Sequence, residues 1–291
     1  MTAAPPSAAR PGILVLVATP IGNLGDLSPR AVEELRRADA VACEDTRRTG
    51  RLLQHAGVER RPLLIVNDHT EAAAVADVLR RLAAGQRVAV VSDAGMPGIS
   101  DPGEQLVRAA IDGGFEVDVV PGPSAAITAL VGSGLPAGRF VFEGFLARKG
   151  SGRAERLREL VGERRTIVLY EAPHRVARTI ADLVDVLGGD RRVVLARELT
   201  KLHQELWRGT LDGAAERVTD VEPRGEYVIV VEGAPAPVEA TDDDLVAALA
   251  DERVMGATTK DAVAAVATRL GVPKRRVYDL ATRVGDPKPT P

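Results

Sequence analysis

Five short apolar runs constrain this chain more than any other feature. Each ends in a polar, Gly/Pro-rich loop, and most of these loops lead into helix-forming sequence. The runs are Ile13–Ala18, Ala40–Cys43, Leu63–Val66, Val88–Val91 and Val117–Val120. Continuous apolar stretches of this length read as strands buried on both faces. The helical intervals carry their own signals. Ser28-Pro29 is an N-cap followed by proline at the first helical position. Val75, Val78, Leu79 and Leu82 form a 3.6-residue stripe that Gly85 closes. Strands alternating with helices predict a parallel sheet with right-handed crossovers. The loaded loops all sit at carboxyl ends of strands, where open α/β sheets bind ligands.

The longest of these loops runs from Ser92 to Gly103, Ser-Asp-Ala-Gly-Met-Pro-Gly-Ile-Ser-Asp-Pro-Gly. An ordinary strand-to-helix turn needs only a few residues. This one spends about a dozen and contains almost no bulky side chain, so a backbone can approach a ligand closely.

Gly132–Gly138 reads as a boundary, which gives a first α/β domain over 12–134 and a second over 135–234 with a mixed sheet. In the second domain, strands over 166–170 and 192–200 end in Glu171-Ala172-Pro173-His174-Arg175 and Lys201-Leu202-His203. The short spacing near 205–211 predicts antiparallel neighbours. Pro235-Ala236-Pro237 is a second linker. Beyond it, 235–291 reads as a small domain in which helix, Gly271 turn and basic helix make a helix-turn-helix pattern. Residues 1–11, rich in Ala and Pro, are expected to be a disordered leader.

Composition narrows the function. The net charge of −3 argues against coating nucleic acid by bulk charge, but a local basic patch is compatible with it. Cys43 is the only cysteine, so neither an intrachain disulfide nor a cysteine metal cluster can form. No pair of histidines has metal-ligand spacing, and no metal site is expected. Without a signal peptide or a run long enough to span a bilayer, the chain is expected to be soluble and cytoplasmic.

The loop Thr19–Asp26 is neither a dinucleotide fingerprint nor a Lys-bearing phosphate loop. Glu44-Asp45-Thr46-Arg47-Arg48 places paired carboxylates beside paired guanidiniums, as a self-compensating surface cluster or as a site. Arg175, Arg197 and Lys201 could contact phosphate, and His174 or His203 could act as a base near neutral pH. For each histidine a structural role competes, and for Ser124 helix capping competes with catalysis. The tail cations Arg269, Lys274, Arg275, Arg276 and Arg283 read equally as nucleic-acid contacts or as a solvated face.

Six motifs occur in order: Ala18–Asp26, Cys43–Arg47, Ser92–Gly103, Pro121–Ala125, Tyr170–Arg175 and Arg197–Lys201. Together they resemble the bacterial 16S ribosomal RNA (cytidine 2′-O)-methyltransferases of the tetrapyrrole (corrin/porphyrin) methylase superfamily. The match spans about 12–233 and, more loosely, the tail. The resemblance implies two α/β domains with S-adenosylmethionine in the cleft between them, a small helical C-terminal domain and a homodimer. It also implies methyl transfer to the ribose 2′-hydroxyl of a decoding-centre cytidine, with 16S rRNA or the small ribosomal subunit as partner. Carried onto this sequence, Pro20, Asp93, Ala94, Gly95, Pro97, Ser124 and Ala125 are expected cofactor contacts. The Pro20–Gly25 loop, Glu44–Arg47 and Glu171–Arg175 are expected on the substrate side. Arg47, His174, Arg175, Arg275 and Arg276 are the candidates for RNA contact.

Methyl transfer from a sulfonium needs in-line geometry and no metal. A ribose hydroxyl is a poor nucleophile, so an acceptor for its proton helps. Glu44, Asp45 and Glu171 are the first candidates, and Lys201 qualifies only with a depressed pKa. A bulky Gly95→Val change is expected to abolish cofactor binding and leave the fold intact. The same fold acting on a tetrapyrrole, or a non-enzymatic RNA-binding factor, are the alternatives.

Overall fold

A computed structural model describes residues 12–66, 71–236 and 240–283. The expected leader over 1–11 and the strand end over 67–70 lie outside the described residues. Two five-stranded sheets make up most of the chain. The first contains β1 (Ile13–Val17), β2 (Ala40–Cys43), β3 (Leu63–Ile65), β4 (Arg87–Val90) and β5 (Glu116–Val120), in the order β3-β2-β4-β1-β5. All of its pairings are parallel, as alternation with α1 (Pro29–Arg37), α2 (Thr46–His55), α3 (Glu71–Ala83) and α4 (Glu104–Asp112) requires.

Side-chain alternation splits this sheet between two cores. Val15, Val17, Val41 and Cys43 pack with Leu35, Leu52 and Leu53 of α1 and α2. Leu14, Leu16, Val88 and Val90 pack with Val78, Leu82 and Leu106 of α3 and α4. This is why the strands read as unbroken apolar runs. The Ser28 hydroxyl caps α1 by accepting from the Ala31 amide at 3.1 Å.

The second sheet contains β6 (Phe140–Phe145), β7 (Thr166–Glu171), β8 (Arg192–Arg197), β9 (Glu205–Thr210) and β10 (Tyr227–Val231), in the order β6-β7-β10-β8-β9. Only β6 and β7 are parallel. One face packs on α6 (Ser151–Leu160), α7 (Pro173–Leu187) and α8 (Leu211–Asp220), through Leu157, Ile180, Leu183 and Leu211. The opposite face receives α5 (Ala125–Ser133), whose Ala126, Ala129 and Leu130 lie with Val168, Val194, Val228 and Val230. A helix that follows β5 of the first sheet thus closes the core of the second. Ile21, from the loop after β1, is buried in that same core. The stretches forming α8 and the helix over Asp242–Val254 carried no helix expectation, because their apolar stripes are short and interleaved with charge.

By internal packing the chain divides into two units, Met1–Ala234 and Pro235–Pro291. The smaller unit is a trio of helices, α9 (Asp242–Val254), α10 (Thr259–Leu270) and α11 (Lys274–Arg283), around Leu245, Leu249, Val263, Val266 and Val277. Thr241 and Asp244 form a capping box at the start of α9. Gly271 turns α10 into α11 at φ +64°. Among the described residues, no helix is long and apolar enough to cross a membrane.

Candidate active site

The long loop after β4 is stitched to the loop after β1. Gly95 and Thr19 exchange backbone hydrogen bonds of 3.1 and 2.8 Å. The Thr19 hydroxyl donates to the Ser92 carbonyl at 3.2 Å. Gly95 holds φ +88°, with the Ile21 side chain and the Pro123 carbonyl near the position of a Cβ. Its amide and carbonyl are therefore engaged within the protein. A valine there would strain the backbone, so Gly95→Val carries a stability cost in addition to the expected loss of cofactor binding.

The same loop also reaches the second sheet. A β-bulge between Phe142 and Gly144 gives Gly144 φ +59°, and the Ser100 oxygen lies 2.9 Å from where its Cβ would be. Ser100 itself adopts φ +60°. A second close approach joins the halves at Gly22, where a Cβ would fall 2.4 Å from the Lys201 side chain. The Tyr170 hydroxyl accepts from the Ala126 amide at 3.1 Å, fixing the start of α5 over β7. Tyr170 packs edge-on against Phe142 and Phe145.

Glu44 and Asp93 interlock. The Glu44 carboxylate accepts from the Asp93 amide at 3.2 Å, and the Asp93 carboxylate accepts from the Asp45 amide at 3.2 Å. Arg48 stands 3.4 Å from Asp93. A cavity of about 230 Å³ opens beside them, lined by Thr19, Pro20, Leu24, Arg48, Ser92 and Asp93 among others. Among the described residues no cluster of His, Cys, Asp and Glu could hold a metal.

The expected residues divide by environment. Asp45 caps α2, accepting from the Arg47 and Arg48 amides and from the Arg47 guanidinium. Those bonds hold its carboxyl well below the usual range and make it a weak base. Glu171 is buried, accepting from the Thr179 hydroxyl at 2.6 Å and the Ala172 amide at 2.9 Å, with Arg175 at 3.1 Å. Glu171 and Arg175 thus form an internal pair, with Arg175 also donating to the Leu146 carbonyl, so both expected substrate-side groups are engaged within the fold. Burial opposes the charge on Lys201, but Glu226 at 2.8 Å and Glu198 at 2.9 Å outweigh it and raise the lysine pKa. The depressed pKa that a base role demanded is absent.

Pro20 and Pro97 are buried, Asp93, Ser124 and Ala125 half-buried, and Ala94 exposed. Ser124 caps α5 by accepting from Ile127. Arg47, His174 and His203 are exposed. In the smaller unit Arg275 is exposed, whereas Arg276 pairs with Asp242 at 2.8 Å and donates to the Ala240 carbonyl at 3.0 Å, tying α11 to the start of α9.

Asp101 is the group that the sequence reading passed over. It sits half-buried between Ser100 and Pro102 in the long loop. Burial, then the field of Glu44, push its carboxyl up to about 7. A Ser92 hydrogen bond pulls the other way, while Asp93 and Glu226 add to the rise. Its one sequence signal was a carboxylate inside a loop otherwise built of small residues. The loop around it is held in place by the pairings to Thr19 and the contact at Gly144.

Two sheets, with strand-end loops from both meeting around a shared acidic cluster, define a class of α/β enzyme fold. The family model described as Tetrapyrrole (Corrin/Porphyrin) Methylases matches residues 13–215, and the chain belongs to that family. Solved structures of similar fold include a cobalt precorrin-4 methyltransferase, with TM-score 0.60 and 16% identity over 76% of this chain and 94% of that one. Another is uroporphyrin-III C-methyltransferase from Thermus thermophilus complexed with S-adenyl homocysteine, with TM-score 0.54 and 19% identity over 76% and 96%.

Nearer relatives carry a different name. The chain is 46% identical over 272 residues to ribosomal RNA small subunit methyltransferase I of Synechocystis, covering 93% of this chain and 97% of the relative. It is 44% identical over 272 residues to that of Escherichia coli O157:H7, covering 93% and 94%. With the protein of that name from Thermotoga maritima it shares 46% over 222 residues, covering 76% of this chain and 99% of the relative.

Proposed function

We propose that this protein transfers a methyl group from S-adenosylmethionine to small-subunit ribosomal RNA, at the ribose 2′-hydroxyl of a decoding-centre cytidine in 16S rRNA. The observation that carries the reading is the meeting of strand-end loops from both sheets around Asp101, Glu44 and Asp93. The near full-length similarity to ribosomal RNA methyltransferases supports the choice of acceptor over a tetrapyrrole.

The donor residues suit the cofactor. S-adenosylmethionine supplies an electrophilic methyl on a cationic sulfonium, and an acidic cluster of Glu44, Asp93, Asp101 and Glu226 favours a cation. The exposed residue Ala94 and the Pro20 loop, which lines the cavity, can hold the uncharged parts of the ligand. Asp101 accepts the hydroxyl proton. A carboxyl that titrates near 7 matches a base working at neutral pH. Interlocked Glu44 and Asp93 orient the loop that presents it. Arg47, 87% exposed, offers its guanidinium to phosphate. The assembly is proposed as a homodimer.

Two measurements test this. Calorimetry should detect S-adenosylmethionine binding. Small ribosomal subunits lacking the modification, incubated with protein and cofactor, should then yield 2′-O-methylcytidine by nucleoside mass spectrometry. Methylation of a porphyrinoid in place of the subunit, or no cofactor binding at all, would overturn the reading.

A further inference from the structure

A second cavity lies outside the loops described above. It occupies about 730 Å³ between α2 and the segment 58–63 that leads into β3. Its floor is apolar, with Leu53 and Val58 both buried. Its walls carry Arg47, Arg60, Arg61, Thr46 and Gln54, and no acidic residue is among the described residues that line it. For a chain of net charge −3, three arginines with no carboxylate among the described lining residues are a local reversal of sign.

The three arginines are unequally committed. Among the described residues, the Arg47 side chain bonds only to the carboxylate of Asp45 at its own helix start and is otherwise exposed. Arg61 donates to the Arg36 carbonyl at 2.8 Å and faces Glu59 at 3.7 Å, while its buried Nε–H has no acceptor among the described residues. Arg60 is exposed and forms no hydrogen bond or ion pair with the described residues. Guanidinium donors not used within the fold are suited to the oxygens of a phosphate.

Position decides what the groove serves. Its helix, α2, begins beside Asp93, whose carboxylate accepts from the Asp45 amide just before the first turn. From there α2 runs about 15 Å for its ten residues, away from the acidic cluster. A polymer with one unit in the cluster would find its continuation along this helix. An anionic backbone with apolar base faces matches a groove with cationic walls and an apolar floor.

We propose that the groove between α2 and segment 58–63 holds the phosphate backbone of the RNA strand flanking the methylated nucleotide. The proposal rests on the ribosomal RNA reading above.

Gly50 allows a test that does not damage the fold. It lies in mid-α2 on the groove wall, with nothing within 4 Å of a Cβ. Any ordinary side chain there favours helix over glycine. Gly50→Glu, Gly50→Gln and Arg60→Ala are compared with wild type by titrating unmodified small-subunit rRNA across a salt series. Thermal melting and S-adenosylmethionine calorimetry are run in parallel.

Gly50→Glu should bind rRNA about tenfold or more weakly, with KM raised and kcat at saturating RNA retained. Gly50→Gln should stay near wild type. Arg60→Ala should reduce the slope of log K against log salt by about 0.7, the loss of one single-strand phosphate contact. Melting temperature and cofactor affinity should be unchanged or higher in the Gly50 variants. Equal rRNA binding and equal slopes in all four proteins would overturn the groove alone. A wild-type protein that binds no rRNA would overturn the functional reading with it. If Gly50→Glu loses binding to polyglutamate while rRNA binding is untouched, the groove serves an acidic protein and the proposal falls.

Discussion

Replacing Asp101 by asparagine should slow the enzyme and stabilise it at the same time, with the two effects separable by pH. In the folded chain the carboxyl titrates at about 7 against an ordinary 3.8. Three pKa units correspond to at most about 4 kcal/mol of unfavourable ionisation. The group is half-buried, so solvent screening reduces this to about 1–2 kcal/mol. The sign follows from proton counting. Between pH 4 and 7 the folded chain holds a proton that the unfolded chain has released, so wild-type stability falls as pH rises through that window and is flat above it.

Asparagine cannot ionise and can still accept from Ser92. Asp101→Asn should therefore match wild type near pH 4 and exceed it by about 1–2 kcal/mol at pH 8, or roughly 3–6 °C in melting temperature. Methyl transfer should fall by about 10²–10⁴, and the rise in wild-type rate through pH 7 should vanish. Denaturant melts at both pH values and a pH–rate profile decide the matter. A variant with wild-type rate and an unchanged inflection would refute the proton-acceptor role. A loss of stability at pH 8 would refute the burial argument itself.

Other expected outcomes depend on neighbouring features. Gly22→Val should cost about 1–3 kcal/mol and abolish cofactor binding by calorimetry, since its side chain would meet Lys201, Thr200 and the Leu199 carbonyl at 2.4–3.0 Å. Glu171→Gln should cost about 3 kcal/mol in a chemical melt, because it leaves Arg175 half-buried without its partner. At a temperature where it is folded, it should methylate at near wild-type kcat. Burial raises the Cys43 thiol pKa; a Thr49 hydrogen bond pulls the other way, and Asp93, Asp45 and Glu44 add to the rise. A thiol reagent should accordingly label native protein only at the rate of opening, and unfolded protein at once. Arg276→Ala should lower the melting temperature of the helical unit by loosening α11 from Asp242 and Ala240.

Much of the architecture was legible in the chain, because it follows from local rules. Runs such as Ile13–Val17 and Ala40–Cys43 can be satisfied only by a strand covered on both faces, and Ser28-Pro29 or Gly271 mark helix ends through backbone sterics alone. Motif order was enough to point to the family. It also located the loops at strand ends, since a parallel sheet puts every carboxyl end on one edge.

Tertiary structure alone decided which side chains are free to act. Glu44, Asp45, Glu171 and Asp101 are the same chemical group in a sequence. Asp45 is spent on a helix cap, Glu171 is locked to Thr179 and Arg175, and Asp101 is raised toward neutrality by burial and by charges from distant segments. Likewise Arg175 and Arg276 read as surface cations until partners at long or short range claimed them, while the uncommitted Arg60 carried no motif at all. Electrostatic environment depends on what folds against a residue, through desolvation and charges brought within a few ångströms. A linear pattern specifies where a strand must lie, but the state of a proton on a carboxyl is fixed only when the segments meet.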